Sequence, residues 1–346
     1  MDGEFEGERK RGKEVNKKAI ALISGGLDSL LAARVVMEQG IEVLGVAFLM
    51  QFASRNVRAF REQVKEAAAG AGIPVRFVDI SEEFMEVVKA PRHGYGSNLN
   101  PCIDCKILML QFAKRIMREE NAGFVITGEV LGERPMSQRK DALNMIRKRS
   151  ELEGYLLRPL SARLLEETVP EREGIVDREK LLAIEGRSRE PQLKMAKQYD
   201  LSKFFTPAGG CLLTDPIFAR RLKDLMSKNG LTADDVTLLK YGRHFRLDDE
   251  TKAVIGRNEN DNKGIQVLKK SDDVMVRLKG SPGPYGLLRG KASFENIEKT
   301  ASLVVSHSRR KGAGKTTVEF WTDGNNRKPM EVGSMRAGEI ERLRVQ

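Results

Sequence analysis

A short apolar run that ends in a glycine turn and opens directly into a helix constrains this chain more than any other feature. Ala19–Ile23 is apolar throughout, as expected of a strand buried on both faces, and it is followed by Ser24-Gly25-Gly26-Leu27-Asp28-Ser29. Leu30, Leu31, Ala32, Ala33, Val35 and Val36 then continue at helical spacing. Glycines after a strand let the backbone approach an anion closely. The helix start adds unpaired N–H groups and the positive end of its dipole. Ser24, Gly25, Gly26, Asp28 and Ser29 therefore form a candidate phosphate cradle; the plain alternative is a glycine turn that holds no nucleotide. Asp28 is a candidate Mg²⁺ ligand, and the same position also suits a helix N-cap.

The pattern continues as alternating strands and helices. Apolar runs at Ala19–Ile23, Glu42–Phe48, Val75–Asp79 and Phe124–Thr127 are separated by helical stretches at Asp28–Gln39, Asn56–Ala71 and Ile107–Glu119. This order predicts an α/β domain with a parallel sheet, whose ligands sit at the carboxyl ends of the strands. Ser24 and Thr127 both lie at such ends, so Ser24–Gly26 and Thr127-Gly128-Glu129 are expected on one side of the sheet. Asp177–Tyr199 reads as helical with a break near Glu190-Pro191, and Phe218–Ser227 as a helix stopped by Gly230. After about Asp235 short apolar runs alternate with Gly, Asn and Asp: Ala253–Gly256, Val274–Leu278, Gly286–Leu288, Leu303–Val305 and Val318–Trp321. These predict a smaller α+β, mostly β domain with one helix around Phe294–Thr300. The expected division is a charged tail over 1–17, a catalytic domain over 18–217, a helical connector over 218–235 and the small domain over 236–346.

Gly312-Ala313-Gly314-Lys315-Thr316-Thr317 imitates the end of a Walker A loop. That motif needs a glycine where Arg309 stands, and Val318-Glu319-Phe320-Trp321 alternates like a strand. A basic turn between strands is the expectation there.

Composition bounds the class. The 346 residues carry a net charge of +11, which suits a polyanionic partner as well as plain solubility. No apolar run approaches a membrane span, and Met1–Lys18 has no signal-peptide core, so no membrane association is expected. Three cysteines are too few for a disulfide framework in a chain of this length and indicate a reducing, cytoplasmic setting.

Those cysteines all stand in Gly- or Pro-flanked turns. Asn100-Pro101-Cys102-Ile103-Asp104-Cys105-Lys106 places a C-x-x-C immediately before a helix, and Thr206-Pro207-Ala208-Gly209-Gly210-Cys211 supplies the third. A thiolate at a helix N-terminus is a better nucleophile and metal ligand than a free one, whereas buried cysteines are often only structural. Three functional readings are open. Cys102, Cys105 and Cys211 hold a [4Fe–4S] cluster with one open iron, the preferred reading. Alternatively Cys211 carries a persulfide, with Cys105 or Cys102 as the resolving thiol. In the third the trio binds Zn²⁺, completed by water or a histidine; His93 is near in sequence, although a lone loop histidine is usually just solvated.

The Ser-Gly-Gly-x-Asp-Ser turn resembles the PP-loop of the ATP pyrophosphatases, which split ATP into AMP and pyrophosphate. Thr127-Gly128-Glu129-Val130-Leu131-Gly132-Glu133-Arg134-Pro135-Met136-Ser137-Gln138, followed by Leu157-Arg158-Pro159-Leu160, resembles the tRNA 4-thiouridine synthase family. The Asn-Pro-Cys-x-x-Cys element is similar to that of the tRNA 2-thiouridylases, and the resemblance covers about residues 18–217. It implies ATP bound through Ser24, Gly25, Gly26, Asp28 and Ser29, and a nucleotide and substrate cleft lined by Gly128 and Gln138. Cys105 and Cys211 would handle sulfur, with Cys102 as a further ligand where a cluster is used. It also implies tRNA as partner and sulfide or a persulfide carrier as sulfur donor; the oligomeric state is left open. Neither the N-terminal RNA-binding module and rhodanese-like tail of the first family nor the C-terminal barrel of the second is recognisable, so the modified base is not fixed.

Lys240-Tyr241-Gly242-Arg243-His244-Phe245-Arg246, with Arg257 shortly after, interleaves basic and aromatic side chains. Arg243, His244, Arg246 and Arg257 are therefore candidate RNA contacts, the alternative being a strand edge protected by charge. This stretch faintly resembles the small RNA-binding domain of ribosome-quality-control proteins. Two competing functions remain. One is a PP-loop enzyme that activates a small molecule by adenylation, either as an amide-forming ligase or by inserting sulfur. The other is a non-catalytic nucleotide- or RNA-binding protein.

Overall fold

The computed structural model describes residues 16–52, 56–202, 204, 211–228, 231–312, 314–322 and 326–345. Most of the charged N-terminal tail, the Thr206–Gly210 turn before Cys211 and the Gly230 stop lie outside the described residues. The chain divides into two compact units, Met1–Cys211 and Leu212–Gln346.

In the first unit β1 (Lys18–Leu22), β2 (Glu42–Leu49), β3 (Val75–Asp79), β4 (Phe124–Ile126) and β5 (Leu156–Leu157) form one sheet in the order β3-β2-β1-β4-β5. Every pairing is parallel. The helices are α1 (Leu27–Met37), α2 (Val57–Gly70), α3 (Ser81–Lys89), α4 (Cys102–Glu119), α5 (Lys140–Arg149), α6 (Val169–Arg172) and α7 (Glu190–Gln198). The uniform hydrophobicity of β1 follows from cover on both faces. Ala19 and Ala21 join α1, α2 and α7 in one core, whereas Ile20 turns the other way, onto Leu110 and Ala113 of α4 and Ile146 of α5. This is the α/β architecture expected from the alternating pattern.

The second unit contains α8 (Pro216–Lys228), α9 (Ala233–Leu238), β6 (Arg243–Arg246), β7 (Lys252–Ile255), α10 (Glu259–Val267), β8 (Val274–Leu278), β9 (Gly286–Arg289), α11 (Phe294–Ser306), β10 (Thr316–Trp321), β11 (Lys328–Val332) and α12 (Ala337–Leu343). Its six strands form an antiparallel sheet ordered β11-β10-β8-β9-β7-β6, so the unit is α+β. Ala301 and Val304 of α11 pack on one face against Ile255 and Val276, and Ile265 of α10 packs on the other against Met275 and Leu287. Thr316 opens a strand and not a helix, as expected for a Walker A look-alike.

Three local expectations are corrected. Leu303–Val305 is the last part of α11, not a strand; Ser293 caps that helix by accepting from Asn296 N at 3.2 Å, and the apolar run is its buried face. Asp177–Tyr199 is not a broken helix. Leu182 and Ile184 donate backbone bonds to Pro159 and Leu160, which holds this segment extended, and Pro191 stands in the first turn of α7, where proline starts a helix. The C-x-x-C does not precede its helix: α4 begins at Cys102, with Pro101 as the flanking residue. The second unit also carries α9, α10 and α12 besides the one helix expected within it.

Candidate functional site

The Ser24–Ser29 turn is built as a cradle. Gly25 has φ +77°, a left-handed conformation that glycine adopts without strain. α1 starts after Gly26 with no side-chain cap, while Ser29 N donates to Gly26 O at 3.2 Å, and the N-cap alternative for Asp28 is not realised. Ser29 Oγ donates to Gly26 O at 2.7 Å and lies 3.3 Å from both Ser24 N and Ser24 Oγ, which fixes the shape of the loop.

Asp28 stands in the first turn of α1, and its Oδ1 is buried without a hydrogen-bond partner among the described residues. Burial raises its pKa, opposed by the Arg189 and Arg134 guanidiniums; Arg189 Nη2 is 3.5 Å from Asp28 Oδ2. A carboxylate oxygen left bare beside a phosphate cradle fits a divalent cation. Arg189, at the entry to α7, was not singled out by sequence; only a fold that brings that turn back to α1 makes it visible.

The second glycine turn closes on the first. β4 is the parallel neighbour of β1, and Gly128 lies so close to α1 that an added Cβ would stand 2.5 Å from Asp28 C and Ser29 N. Gly128 is thus required by backbone contact. Gln138 is buried, its carbonyl accepts from Gly132 N at 2.8 Å, and its Oε1 has no partner among the described residues.

Glu129, next to Gly128, is 2 % exposed and holds three groups: Arg158 Nε at 3.0 Å, Thr127 Oγ1 at 3.1 Å and Lys106 Nζ at 3.1 Å. Burial pushes its pKa up, but Lys106 and Arg158 outweigh that and bring it down to about 2. Lys106 directly follows Cys105, so this carboxylate ties the cysteine helix to the glycine turn. Glu133 feels both Asp28 and Lys106, which sets the two sites within one electrostatic neighbourhood.

Cys105 lies within electrostatic reach of both Cys211 and Cys102. Burial first, and then the charge of Cys211, push the Cys105 thiol well up; Cys102 acts in the same sense and Lys106 against it. Asn100 Nδ2 donates to Cys102 Sγ at 2.9 Å, and Cys211 Sγ donates to Phe52 O at 3.6 Å. His93 is not aimed at them: its Nδ1 is 2.8 Å from Asp104 Oδ1, and its backbone N–H donates to Asp104 Oδ2. Among the described residues no three His, Cys, Asp or Glu groups are gathered closely enough to hold a metal ion.

The expected RNA contacts of the second unit are placed differently from a free basic face. His244 is 1 % exposed, and its Nε2 donates to Tyr241 O at 2.8 Å; burial, reinforced by Lys252 and Arg221, drives its pKa well down. Arg246 forks onto Asp224 at 2.6 and 3.1 Å, and Arg257 onto Asp261 at 2.6 and 3.1 Å. Arg243 is half-buried at the start of β6. The outer edge of β6 is covered as well, since Phe245 bridges to Arg344 and Val345 N donates to His244 O. No helix among the described residues is long and apolar enough to cross a membrane.

Residues 242–344 match the family model for the NFACT protein RNA binding domain, and residues 14–169 match that for the Thiamine biosynthesis protein (ThiI). A probable tRNA sulfurtransferase of Thermococcus kodakarensis is 32% identical over 146 residues, 41% of this chain and 36% of its own. The tRNA-specific 2-thiouridylase MnmA of Syntrophotalea carbinolica is 32% identical over 114 residues, 31% of this chain and 32% of its own. The chain thus spans about a third of the length of these curated relatives. A crystal structure of a 4-thiouridine synthetase–RNA complex with bound ATP aligns over 64% of this chain and 52% of that one, at 19% identity and a TM-score of 0.38, too loose a likeness to carry weight. The cradle, the Thr127–Gln138 segment and the sequence matches agree on one conclusion: the first unit carries a ThiI-like PP-loop domain.

Proposed function

We propose that this protein is an ATP-dependent tRNA sulfurtransferase that replaces a uridine carbonyl oxygen with sulfur. The observation that carries this reading is the tie from Cys105–Lys106 through Glu129 to Gly128, which stands against Asp28 and Ser29. One network thereby holds a nucleotide cradle and a set of thiols. The names of the relatives and the family model matched by the second unit support tRNA as the acceptor.

A carbonyl oxygen is a poor leaving group and must be activated before sulfur can displace it. In the proposed reaction the uridine oxygen attacks the α-phosphorus of ATP, forming an O-adenylated base and releasing pyrophosphate. The N–H groups of the Gly25–Ser29 turn stabilise the departing charge, and Arg189 and Arg134 extend the positive field around Asp28. Mg²⁺, when bound through Asp28 directly or by way of water, neutralises further phosphate charge.

Cys211 attacks the outer sulfur of an external persulfide donor, whose thiol leaves; the terminal sulfur of the resulting Cys211 persulfide then attacks the activated carbon, and AMP leaves. Cys105 gives up its proton and attacks Cys211 Sγ. The thiouridine is released, a Cys105–Cys211 disulfide remains, and an external dithiol reduces it for the next cycle. The target base leaves its stack to be reached. The test is pyrophosphate release with tRNA against small carboxylates and thiol acceptors: tRNA stimulation supports the proposal, and stimulation by a small acceptor alone replaces it with small-molecule activation.

A [4Fe–4S] cluster on Cys102, Cys105 and Cys211 is the second reading, favoured by the influence of both Cys211 and Cys102 on the Cys105 thiol. Iron and acid-labile sulfide counted after anaerobic reconstitution, in the native chain and in Cys102→Ser, decide between the two.

A further inference from the structure

The second unit has an open cleft of about 450 Å³ between α10 and the turn that leaves β8, lined by Asn262, Lys263, Gln266, Arg277, Gly280 and Tyr285 among others. Beside it, Trp321 ends β10 on the same face of the sheet, since Glu319, two residues earlier, pairs with Arg277 across the strands. Two guanidiniums flank the indole: Arg327 lies 4.9 Å from the ring centroid and Arg277 5.7 Å. Among the described residues the carboxylate facing both is Glu319, at 3.1 Å from Arg277 and 3.8 Å from Arg327, while Lys263 on the cleft wall is paired with Glu259 at 2.7 Å. Among these described groups, one positive charge stays in excess. Trp321 and Tyr285 are each only partly buried against the core beneath α10.

We infer that this cleft, with Trp321 as its platform, holds an unpaired stretch of RNA, with a base stacked on the indole and phosphates on Arg277 and Arg327. The inference deepens the tRNA reading above and rests on it. It places an RNA contact apart from His244, Arg246 and Arg257, whose side chains are buried or forked onto carboxylates. A partly exposed indole between guanidiniums, next to a polar cleft, matches what unpaired nucleic acid needs: a π-face for the base and cations for the backbone. A duplex offers no free base face and suits the cleft poorly.

Trp321 is the chain's single tryptophan, so its emission reports on the cleft directly. The experiment titrates the full chain with unmodified tRNA, a single-stranded RNA oligonucleotide, an RNA duplex and heparin, following fluorescence and affinity together. Saturable quenching by tRNA and by the single strand, but not by the duplex or by heparin, is the expected result. Trp321→Ala should weaken single-strand binding on the order of 10- to 100-fold, Trp321→Phe far less, because phenyl still stacks. Arg327→Glu, at an exposed position, tests the same cleft if the alanine variant fails to fold. Tight tRNA binding by the native chain with emission unchanged, and with Arg327→Glu binding as well as native, overturns the assignment of the cleft and leaves the tRNA reading standing. Quenching by heparin equal to that by RNA overturns base stacking. Failure of the native chain to bind any RNA overturns both.

Discussion

Lys106 Nζ lies 3.1 Å from Glu129 Oε1, so the residue after the second cysteine is held by the residue after the glycine of the second turn. With Arg158 on the other oxygen at 3.0 Å, Glu129 is a buried anion between two cations. Replacing it by Gln leaves those cations without their counter-charge and should cost roughly 3–5 kcal/mol of stability, read by denaturant unfolding. Because its folded pKa lies below the ordinary 4.5, at about 2, its contribution is fully present above pH 4.5 and is lost as pH falls through about 2. That acid limb should be missing from the stability profile of Glu129→Gln, and an unchanged profile would remove Glu129 from the account.

Asp28 carries the opposite sign. Burial raises its folded pKa despite Arg189 and Arg134, so its charge costs stability above the ordinary carboxylate pKa of 3.8. Asp28→Asn is expected to leave the ligand-free Tm unchanged or raised by a few degrees, on a scale of about 2–4 °C per kcal/mol for a domain of this size. MgATP at about 100 times its Kd should stabilise the native chain by about 2.7 kcal/mol and the variant much less. Equal shifts in both would take Asp28 out of the nucleotide site.

Gly128→Ala tests the closeness of the two turns. The new methyl would meet the backbone of Asp28 and Ser29 at 2.5 Å, and backbone cannot move aside as a flexible side chain can. A loss of about 1–3 kcal/mol is expected from overpacking, together with a larger fractional loss of ATP affinity, measured by calorimetry. A variant that binds ATP as the native chain does would show that the turns do not act together.

The cysteines separate the sulfur mechanisms. Cys211→Ser should stop thiolation while tRNA-dependent pyrophosphate release continues, since adenylation needs no thiol. Cys105→Ser should allow one attack and then trap tRNA on Cys211 as a reducible adduct, visible on a non-reducing gel. Burial that pushes the Cys105 thiol up also predicts slow alkylation by iodoacetamide at pH 8 relative to a free thiol; fast labelling of Cys105 contradicts that upward shift.

Much of the cradle was legible because it is local. Strand, glycine turn and helix follow one another over Lys18–Met37, and the physics of anion binding needs only that order. Glu129 and Arg189 were not legible as partners of Lys106 and Asp28, because their meeting depends on β4 beside β1 and on α7 returning to α1. In the basic stretch at 240–246 the partner of Arg246 was not legible for the same reason: Asp224, which takes it, is 22 residues away in sequence. Leu303–Val305 read as a strand because a short β-branched run does not reveal its period, and the deciding signal, Ser293, stood ten residues upstream.

The most direct test of the central claim gives the purified chain MgATP, a persulfide donor and unmodified tRNA, followed by mass spectrometry of the tRNA nucleosides. The account predicts a thiouridine that requires ATP and disappears in Cys211→Ser, and its retention time identifies the oxygen replaced. Pyrophosphate release without any thionucleoside, under conditions where a known tRNA thiolase forms one from the same donor, would contradict it.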